Sequence, residues 1–179
     1  MQKIIRNLGR FLLPVFSLLT AGCIGEDTPS AAESTLVQVG ESAPDFTVQM
    51  FDGSEIRLSD LRGDVVLLTF FSSWCPECRE ELGVLQERVL DRFGGDDFHL
   101  LCISRGESRE TIAAFRAEYG LTYPMGLDPS ASIYGLYATE QVPRNFLLDR
   151  SGRIVALTVG YEVSEFDALL EILRLQLDQ

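Results

Sequence analysis

The chain has 179 residues, 46% of them hydrophobic, and its 27 acidic residues outnumber its 15 basic ones, which gives a formal net charge of −12. This length allows one well-buried core. The acidic balance should repel polyanions, so nucleic-acid binding and membrane attachment through a basic patch are both disfavoured.

The first 22 residues are predicted to be a signal peptide for export. Three basic residues (Lys3, Arg6 and Arg10) precede a mostly apolar stretch over residues 11–20. That stretch is too short to cross a hydrocarbon core of roughly 30 Å. No acidic residue lies before residue 23, so removal of this segment leaves a still more acidic protein.

Cys23 follows the small residues Ala21 and Gly22. This order resembles a bacterial lipoprotein signal, in which the cysteine after the cleavage point receives lipid and becomes the mature N-terminus. Thr20 departs from that pattern, which usually carries an aliphatic residue there. The alternative is ordinary signal cleavage, which leaves Cys23 as an odd thiol. Both interpretations place the protein outside the cytoplasm, and the first predicts an anchored, periplasm-facing lipoprotein of the bacterial cell envelope.

Residues 23–39 are predicted to be a lipidated flexible tether. The segment is rich in Glu, Asp, Ser, Thr, Ala and Pro, and it shows no apolar periodicity before Leu36. Residues 40–179 contain no internal repeat and have the length of one domain. The chain is therefore divided into residues 1–22, 23–39 and 40–179.

The first half of the domain is predicted to alternate strands and helices. Apolar and polar residues alternate over 46–50 and resume over 56–58, on either side of an Asp52-Gly53 turn. Residues 65–71 are almost continuously apolar, as expected for a strand buried on both faces. A helix then follows the Cys75 motif and ends at Gly94-Gly95, with apolar residues at helical spacing: Leu82, Leu85, Val89 and Phe93.

A buried strand is predicted over residues 98–104, followed by a helix that Ser108 caps and Gly120 ends. Its inner face is predicted to be Ile112, Phe115 and Tyr119. A short helical piece is expected between Asp128 and Tyr137.

Two strand-like runs, 145–148 and 153–159, predict a hairpin. The last helix is predicted to be capped by Ser164, with an apolar face made of Phe166, Leu169, Leu170, Leu173 and Leu177. Alternating strands and helices require parallel strands, whereas the hairpin adds antiparallel ones. The order therefore predicts an α/β fold with a mixed central sheet flanked by helices on both faces.

The candidate site is a pair of cysteines, Cys75 and Cys78, between a buried strand and a helix. Cys75 is expected at the helix N-terminus, where free N–H groups and the helix dipole favour a thiolate. Cys78 lies about one turn on, close enough for a disulfide. Pro76 suits the first helical position, because its missing N–H needs no partner there. Cys75 is therefore predicted to attack and Cys78 to resolve the mixed disulfide.

Several separated stretches resemble the membrane-anchored or periplasmic thioredoxin-like reductases called TlpA-like or ResA-like. They are APDFTVQMFDGSEIRLSDLRGDVVLLTFFSSWCPECREE, YGLTYPMGLD and QVPRNFLLDRSGRIVALTVGY, within about residues 40–165. The resemblance implies a thioredoxin-like fold and assigns the Trp74-Cys75-Pro76-Glu77-Cys78 stretch as the redox motif. It also implies that Val142-Pro143 is a cis-proline loop beside the disulfide and that Glu81 relays protons.

The function implied by this resemblance is an extracytoplasmic protein disulfide oxidoreductase, with no metal ion and no cofactor. It favours reduction of exported proteins, with apocytochrome c as one client, and a transmembrane electron-donor protein and a lipid anchor as membrane partners. Two substitutions depart from the family pattern. Thr69 stands where relatives often have Asn, and Arg144-Asn145 replaces a small or Thr-rich pair, which is expected to alter substrate contacts. Glu77 is expected to disfavour a strongly oxidising potential.

Other interpretations remain open. AhpC-like thiol peroxidases share the APDF opening, although Ser72 and Leu68 occupy the places of the Thr and Pro that precede their reactive cysteine. A binding module with a structural disulfide is a second alternative in an exported chain. A zinc site that adds His99 and Cys102 is disfavoured, because residues three apart on a strand point to opposite faces. A copper carrier would need a distal His, and the one His precedes the second half of the domain.

Overall fold

The computed structural model describes residues 30–179, so the predicted signal peptide and Cys23 lie outside the described residues. The strands are β1 (Thr47–Met50), β2 (Glu55–Arg57), β3 (Val65–Phe71), β4 (Phe98–Arg105), β5 (Met125–Asp128), β6 (Arg144–Leu148) and β7 (Ile154–Val159). The α-helices are α1 (Pro76–Leu85), α2 (Asp91–Phe93), α3 (Arg109–Tyr119) and α4 (Val163–Leu177). A π-helical segment, Gln86–Leu90, joins α1 to α2, and 3₁₀ helices span Leu58–Leu61 and Tyr134–Leu136.

The seven strands form one mixed sheet in the order β2-β1-β5-β4-β3-β6-β7. All seven residues of β3 are buried, because this strand lies inside the sheet and is covered on both faces. It pairs parallel with β4 and antiparallel with β6, and Thr69 is the register partner of both Cys102 and Asn145. The cysteine motif therefore emerges from the carboxyl end of a buried strand.

The long helices share one face of the sheet. The crossovers from β3 to β4 and from β4 to β5 run in the same direction, so right-handed connections put α1 and α3 on that face. Helix α4 lies beside them, because Arg88, in the π-helical segment, stacks 5.3 Å from the Phe166 ring centroid. The α/β class and the mixed thioredoxin-like sheet are confirmed.

The opposite face is covered by the short Tyr134–Leu136 helix, the Leu58–Leu61 3₁₀ helix and the N-terminal residues of the described chain. Phe70 points to this face and contacts Tyr134 and Tyr137, with ring centroids 5.3 and 5.4 Å away. Phe46 adds an edge contact to the Tyr137 ring at 6.0 Å. These aromatic side chains therefore cover the core on this face of the sheet.

Residues 30–39, assigned from the sequence to the tether, pack against the domain. Thr35 forms an isolated β-bridge with Ala138, and the Leu36 N–H donates to the Tyr137 carbonyl over 2.9 Å. Ser34 and Val37 are buried. The packed unit thus starts before the predicted boundary at residue 40, because this segment supplies both backbone pairing and a buried apolar side chain.

Two local predictions are corrected by the structure, and one strand is added to the predicted set. The N-cap of α4 is Glu162, so Ser164 lies within the first turn. Tyr119 is exposed because it occupies the last turn of α3 and extends beyond the core. Its ring lies tilted against that of Phe115, with centroids 4.8 Å apart. Strand β5 was not predicted. Its Gly126 is required by the neighbouring strand, since a Cβ there would lie 2.7 Å from the Val48 side chain.

Candidate active site

The two cysteines take the places expected from their spacing. Cys75 is the N-cap of α1, with extended backbone, and Pro76 is in the first turn. The Cys78 N–H donates to the Cys75 sulfur over 3.3 Å, so one of the free donors at the helix N-terminus is directed at that sulfur. Both residues are free thiols.

The loop before β6 lies against the same sulfur. The Val142-Pro143 peptide is cis, and the Cys75 thiol donates to the Val142 carbonyl over 3.3 Å. Trp74 is 62% exposed, whereas Cys75 keeps 5% of its surface and Cys78 none. A disulfide partner can therefore approach Cys75 but not Cys78.

The buried position of Cys78 also affects its chemistry. Burial raises the pKa of the Cys78 thiol far above its usual range, and the hydrogen bond with Cys75 and the nearby Glu81 carboxyl raise it further. Cys78 therefore holds its proton at neutral pH. It becomes a nucleophile only when a nearby group accepts that proton.

Glu81 is the titratable group of the site that is suited to accept the Cys78 proton. Its side chain is fully buried on α1, and burial raises the pKa of its carboxyl to about 8, against the lowering effect of a hydrogen bond from Asn145. The Asn145 side-chain amide donates to Glu81 Oε2 over 3.1 Å. Oε1 has no hydrogen-bond partner among residues 30–179. A carboxyl in this state exchanges its proton near neutral pH.

Asn145 is a site residue that the sequence interpretation missed. It was expected to alter substrate contacts, but it is fully buried and points to the α1 face. The Thr69 hydroxyl donates to Asn145 Oδ1 over 2.6 Å, and Asn145 Nδ2 also donates to the Thr158 hydroxyl over 3.1 Å. The side-chain amide beside Thr69 is therefore supplied from β6. The sequence signal that could have identified Asn145 is that it is a polar residue inside an otherwise apolar strand.

Arg144 is likewise buried rather than exposed to substrate. Its Nε donates to the carbonyls of Glu140 and Gln141 over 2.9 and 3.1 Å. Its terminal nitrogens donate to the Thr35 and Ser34 hydroxyls, each over 2.6 Å. The expectation of altered substrate contacts is therefore wrong for both residues, because each side chain lies inside the core.

An open groove of about 510 Å³ borders the attacking sulfur. Trp74, Pro76 and Glu77 line it on the helix side, and Val142 and Val159 line it on the sheet side. The Glu77 carboxylate accepts from the Tyr161 N–H over 3.4 Å. The groove therefore opens directly onto the attacking sulfur.

Comparison with known proteins agrees with this geometry. The profile of the AhpC/TSA family matches residues 39–157, about two thirds of the chain. The chain belongs to this family. It is 31% identical over 133 residues to the thiol–disulfide oxidoreductase ResA of Geobacillus thermodenitrificans, and the match covers 74% of this chain and 76% of that relative.

Two solved structures support the same assignment. A Bacteroides thetaiotaomicron protein assigned as a protein disulfide isomerase has a TM-score of 0.78 and 41% identity, over 82% of this chain and 94% of its own. A Chlorobium tepidum protein assigned as the thiol:disulfide interchange protein DsbE has a TM-score of 0.72 and 26% identity, over 79% and 99%. The chain is therefore a ResA-like, thioredoxin-fold thiol–disulfide oxidoreductase.

The remaining ligand candidates of this oxidoreductase lie elsewhere. His99 pairs with Asp64 over 2.9 Å, and Cys102 is buried in β4, where burial raises the pKa of its thiol. Within residues 30–179 no group of three His, Cys, Asp or Glu residues is arranged to hold a metal ion. Nor does any helix in that range have the length and apolar character needed to cross a bilayer.

Proposed function

We propose that this oxidoreductase is an extracytoplasmic reductase of disulfides in exported proteins, with Cys75, Cys78 and Glu81 as its catalytic residues. One observation carries the proposal. The Cys75 sulfur lies at a helix N-terminus, 3.3 Å from both the Cys78 N–H and the Val142 carbonyl, and it opens onto a groove. A structural disulfide would need neither the groove nor the buried carboxyl beneath it.

In the proposed cycle, the Cys75 thiolate attacks one sulfur of a client disulfide. The client S–S bond breaks, and the released sulfur takes up a proton. Cys78 then loses its proton and attacks the Cys75 sulfur, which releases the second client thiol and leaves a Cys75–Cys78 disulfide. Two electrons have passed to the client. A transmembrane electron-donor protein returns two electrons, with two protons from solvent.

The ionised form of Glu81, which becomes populated as pH approaches about 8, is the proposed acceptor of the Cys78 proton. The Cys78 thiol needs a base because burial raises its pKa, and the carboxyl of Glu81 has a pKa of about 8 and one oxygen without a hydrogen-bond partner in the described chain. Trp74 and Pro76 border the attacking sulfur. The Val142-Pro143 backbone is proposed to orient the client strand beside it.

The location and the clients are part of the same proposal. The export signal and the lipoprotein-like residues before Cys23 support anchoring in the cell envelope, with the residues between Cys23 and the packed segment at 30–39 leading to the domain. The resemblance to ResA-like reductases supports exported proteins, including apocytochrome c, as clients. Radiolabelled palmitate incorporated by the full chain but not by its Cys23→Ser variant would support the anchor.

The decisive experiment traps the mixed disulfide. In the Cys78→Ser variant the attack by Cys75 has no resolving sulfur, so client proteins should remain covalently attached in the cell envelope. The Cys75→Ser variant is the matched control and should capture none. Wild-type protein should also catalyse insulin reduction by dithiothreitol. If Cys78→Ser captures nothing and insulin stays intact, a binding module with a structural disulfide becomes the better description.

A thiol peroxidase is the second candidate, because the chain matches the AhpC/TSA family and carries the APDF opening that AhpC-like thiol peroxidases share. Peroxide consumption by the reduced wild-type protein distinguishes the two functions. We expect it to be at least about a hundredfold slower than attack on a protein disulfide, a difference of about 2.7 kcal/mol in barrier. Faster reaction with peroxide than with insulin would reverse the assignment.

A further inference from the structure

The N-terminal segment, residues 30–39, is hydrogen-bonded to the loop that contacts the attacking sulfur. Arg144 joins the two, because its guanidinium donates to the hydroxyls of Ser34 and Thr35 and to the carbonyls of Glu140 and Gln141. The Thr139 N–H adds a hydrogen bond to the Ser34 carbonyl over 2.9 Å. Val142 follows directly in the chain. The position of residues 30–39 is therefore tied to the client-facing loop.

This segment also extends the groove. Ala31 and Val159 line both the groove beside Cys75 and an adjoining groove of about 410 Å³. The strand register explains the shared wall, since Val159 and Leu157 pair with Arg144 and Phe146 and so point to the face that the N-terminal segment covers. The two grooves form one continuous surface that starts at the attacking sulfur.

The lining of the second groove indicates what fits there. Its residues are Ala31, Ala32, Thr35, Val37, Gln38, Val39, Leu157 and Val159. None of them is charged, although the chain carries a net charge of −12. Val39 is 57% exposed despite its apolar side chain. An uncharged, apolar strip on such an acidic surface is typical of a site for another polypeptide.

We propose that residues 31–39, which we call the N-terminal wall, form the second side of the client groove and select clients with apolar residues next to the attacked cysteine. This inference rests on the proposed function, because the occupant is the polypeptide that forms the mixed disulfide with Cys75. An extended client segment that enters beside Cys75 meets Val142 and Val159 first, and then the N-terminal wall.

The test uses two peptide homodimers, each joined by one intermolecular disulfide, so that attack on either sulfur presents the same flanking sequence. One has Val-Leu-Val beside the cysteine and the other Ser-Asn-Ser. Each reaction oxidises the Cys75–Cys78 dithiol and yields two peptide thiols. The fluorescence of Trp74, the one tryptophan of the chain, reports the rate. Wild type should reduce the apolar dimer about tenfold faster, as expected for partial burial of one aliphatic side chain.

Ala31→Asp and Val39→Asp place a charge in the N-terminal wall at exposed positions, so the fold should persist. Each should lower the preference for the apolar dimer from about tenfold to about twofold. Ala114→Asp is the matched control on the exposed side of α3 and should leave the preference unchanged. For each protein, the rate with a peptide dimer is divided by the rate with Ellman's reagent, a small disulfide that needs no extended groove.

Equal rates of wild type with the two dimers would overturn the inference while leaving the proposed function intact. Retention of the tenfold preference by both Asp variants would also overturn it. A wild-type protein that reacts with Ellman's reagent but reduces neither dimer would instead count against the proposed function.

Discussion

Arg144 and Asn145 are neighbours on one buried strand, yet their side chains lie on opposite faces of the sheet. The hydrogen-bond networks around the two side chains differ in how completely they are paired. On the Arg144 face, Nε and both terminal nitrogens have acceptors, and these acceptors are all neutral. On the Asn145 face, the hydrogen-bonded chain ends at Glu81, whose second oxygen has no partner among residues 30–179. Fully paired buried polar groups hold a structure, whereas an incompletely paired carboxyl is available for proton transfer.

The largest effect expected from this difference is on the pH dependence of stability. The carboxyl of Glu81 has a pKa of about 8 when folded and about 4.5 when unfolded. The contribution of the protonated Glu81 carboxyl to the free energy of unfolding is therefore fully present below about pH 4.5 and is lost as pH rises through 8. Relative to Glu81→Gln, wild type should lose roughly 3 to 5 kcal/mol of unfolding free energy across that window. Urea unfolding at several pH values measures it.

Glu80→Gln is the matched control, because Glu80 is the exposed neighbour on the same helix. Its unfolding free energy should follow the wild-type pH dependence. If Glu81→Gln also followed the wild-type curve, the carboxyl would not be held protonated by burial, and the contrast between the two faces would be lost.

The opposite face should respond to mutation at every pH. Arg144→Met removes the donors that link residues 34–35 to residues 140–141. The Tyr134 hydroxyl still donates to both carbonyls, so the loss comes from the four hydrogen bonds of the guanidinium. We expect a loss of about 3 kcal/mol of unfolding free energy with little pH dependence, measured by the same urea titrations. Arg57→Met, which removes an exposed ion pair with Asp45, should cost less than about 1 kcal/mol. Equal losses would mean that the buried hydrogen bonds stabilise the fold no more than an exposed ion pair does.

A smaller effect is expected when the hydrogen bond to Glu81 is removed. The Asn145 amide lowers the pKa of Glu81, so Asn145→Leu should raise it above about 8. If the Glu81 carboxylate accepts the Cys78 proton, the pH midpoint of the resolving step should rise by about one unit. The second release of thionitrobenzoate, after excess Ellman's reagent has reacted with Cys75, measures this step.

Thr158→Val controls for packing in that measurement. It removes another acceptor of the Asn145 amide but leaves the donor to Glu81 in place, so the midpoint should not rise. An unchanged midpoint in Asn145→Leu, with Glu81→Gln also resolving at the wild-type rate, would exclude Glu81 from the proton transfer.

These contacts also show how far the sequence could be interpreted alone. The buried run of β3 and the helix that follows Cys75 were predicted, because periodicity and capping are local signals. The long-range partners of Arg144 and Asn145 were not predicted, because they lie far away along the chain, with Ser34 110 positions from Arg144 and Glu81 64 from Asn145. Strand β5 was missed for a related reason, since its four residues are fixed by pairing with β4 and β1.

Glu77 extends the comparison, because its carboxylate is exposed to solvent whereas the carboxyl of Glu81 is buried. Its negative charge should oppose the addition of electrons to the site and so lower the reduction potential. The Glu77→Gln variant should therefore have a potential about 10 to 20 mV higher, measured against glutathione, because an exposed charge contributes well under 1.4 kcal/mol. High salt should remove most of the difference through screening. A potential that does not rise would show that only buried carboxyls influence this site.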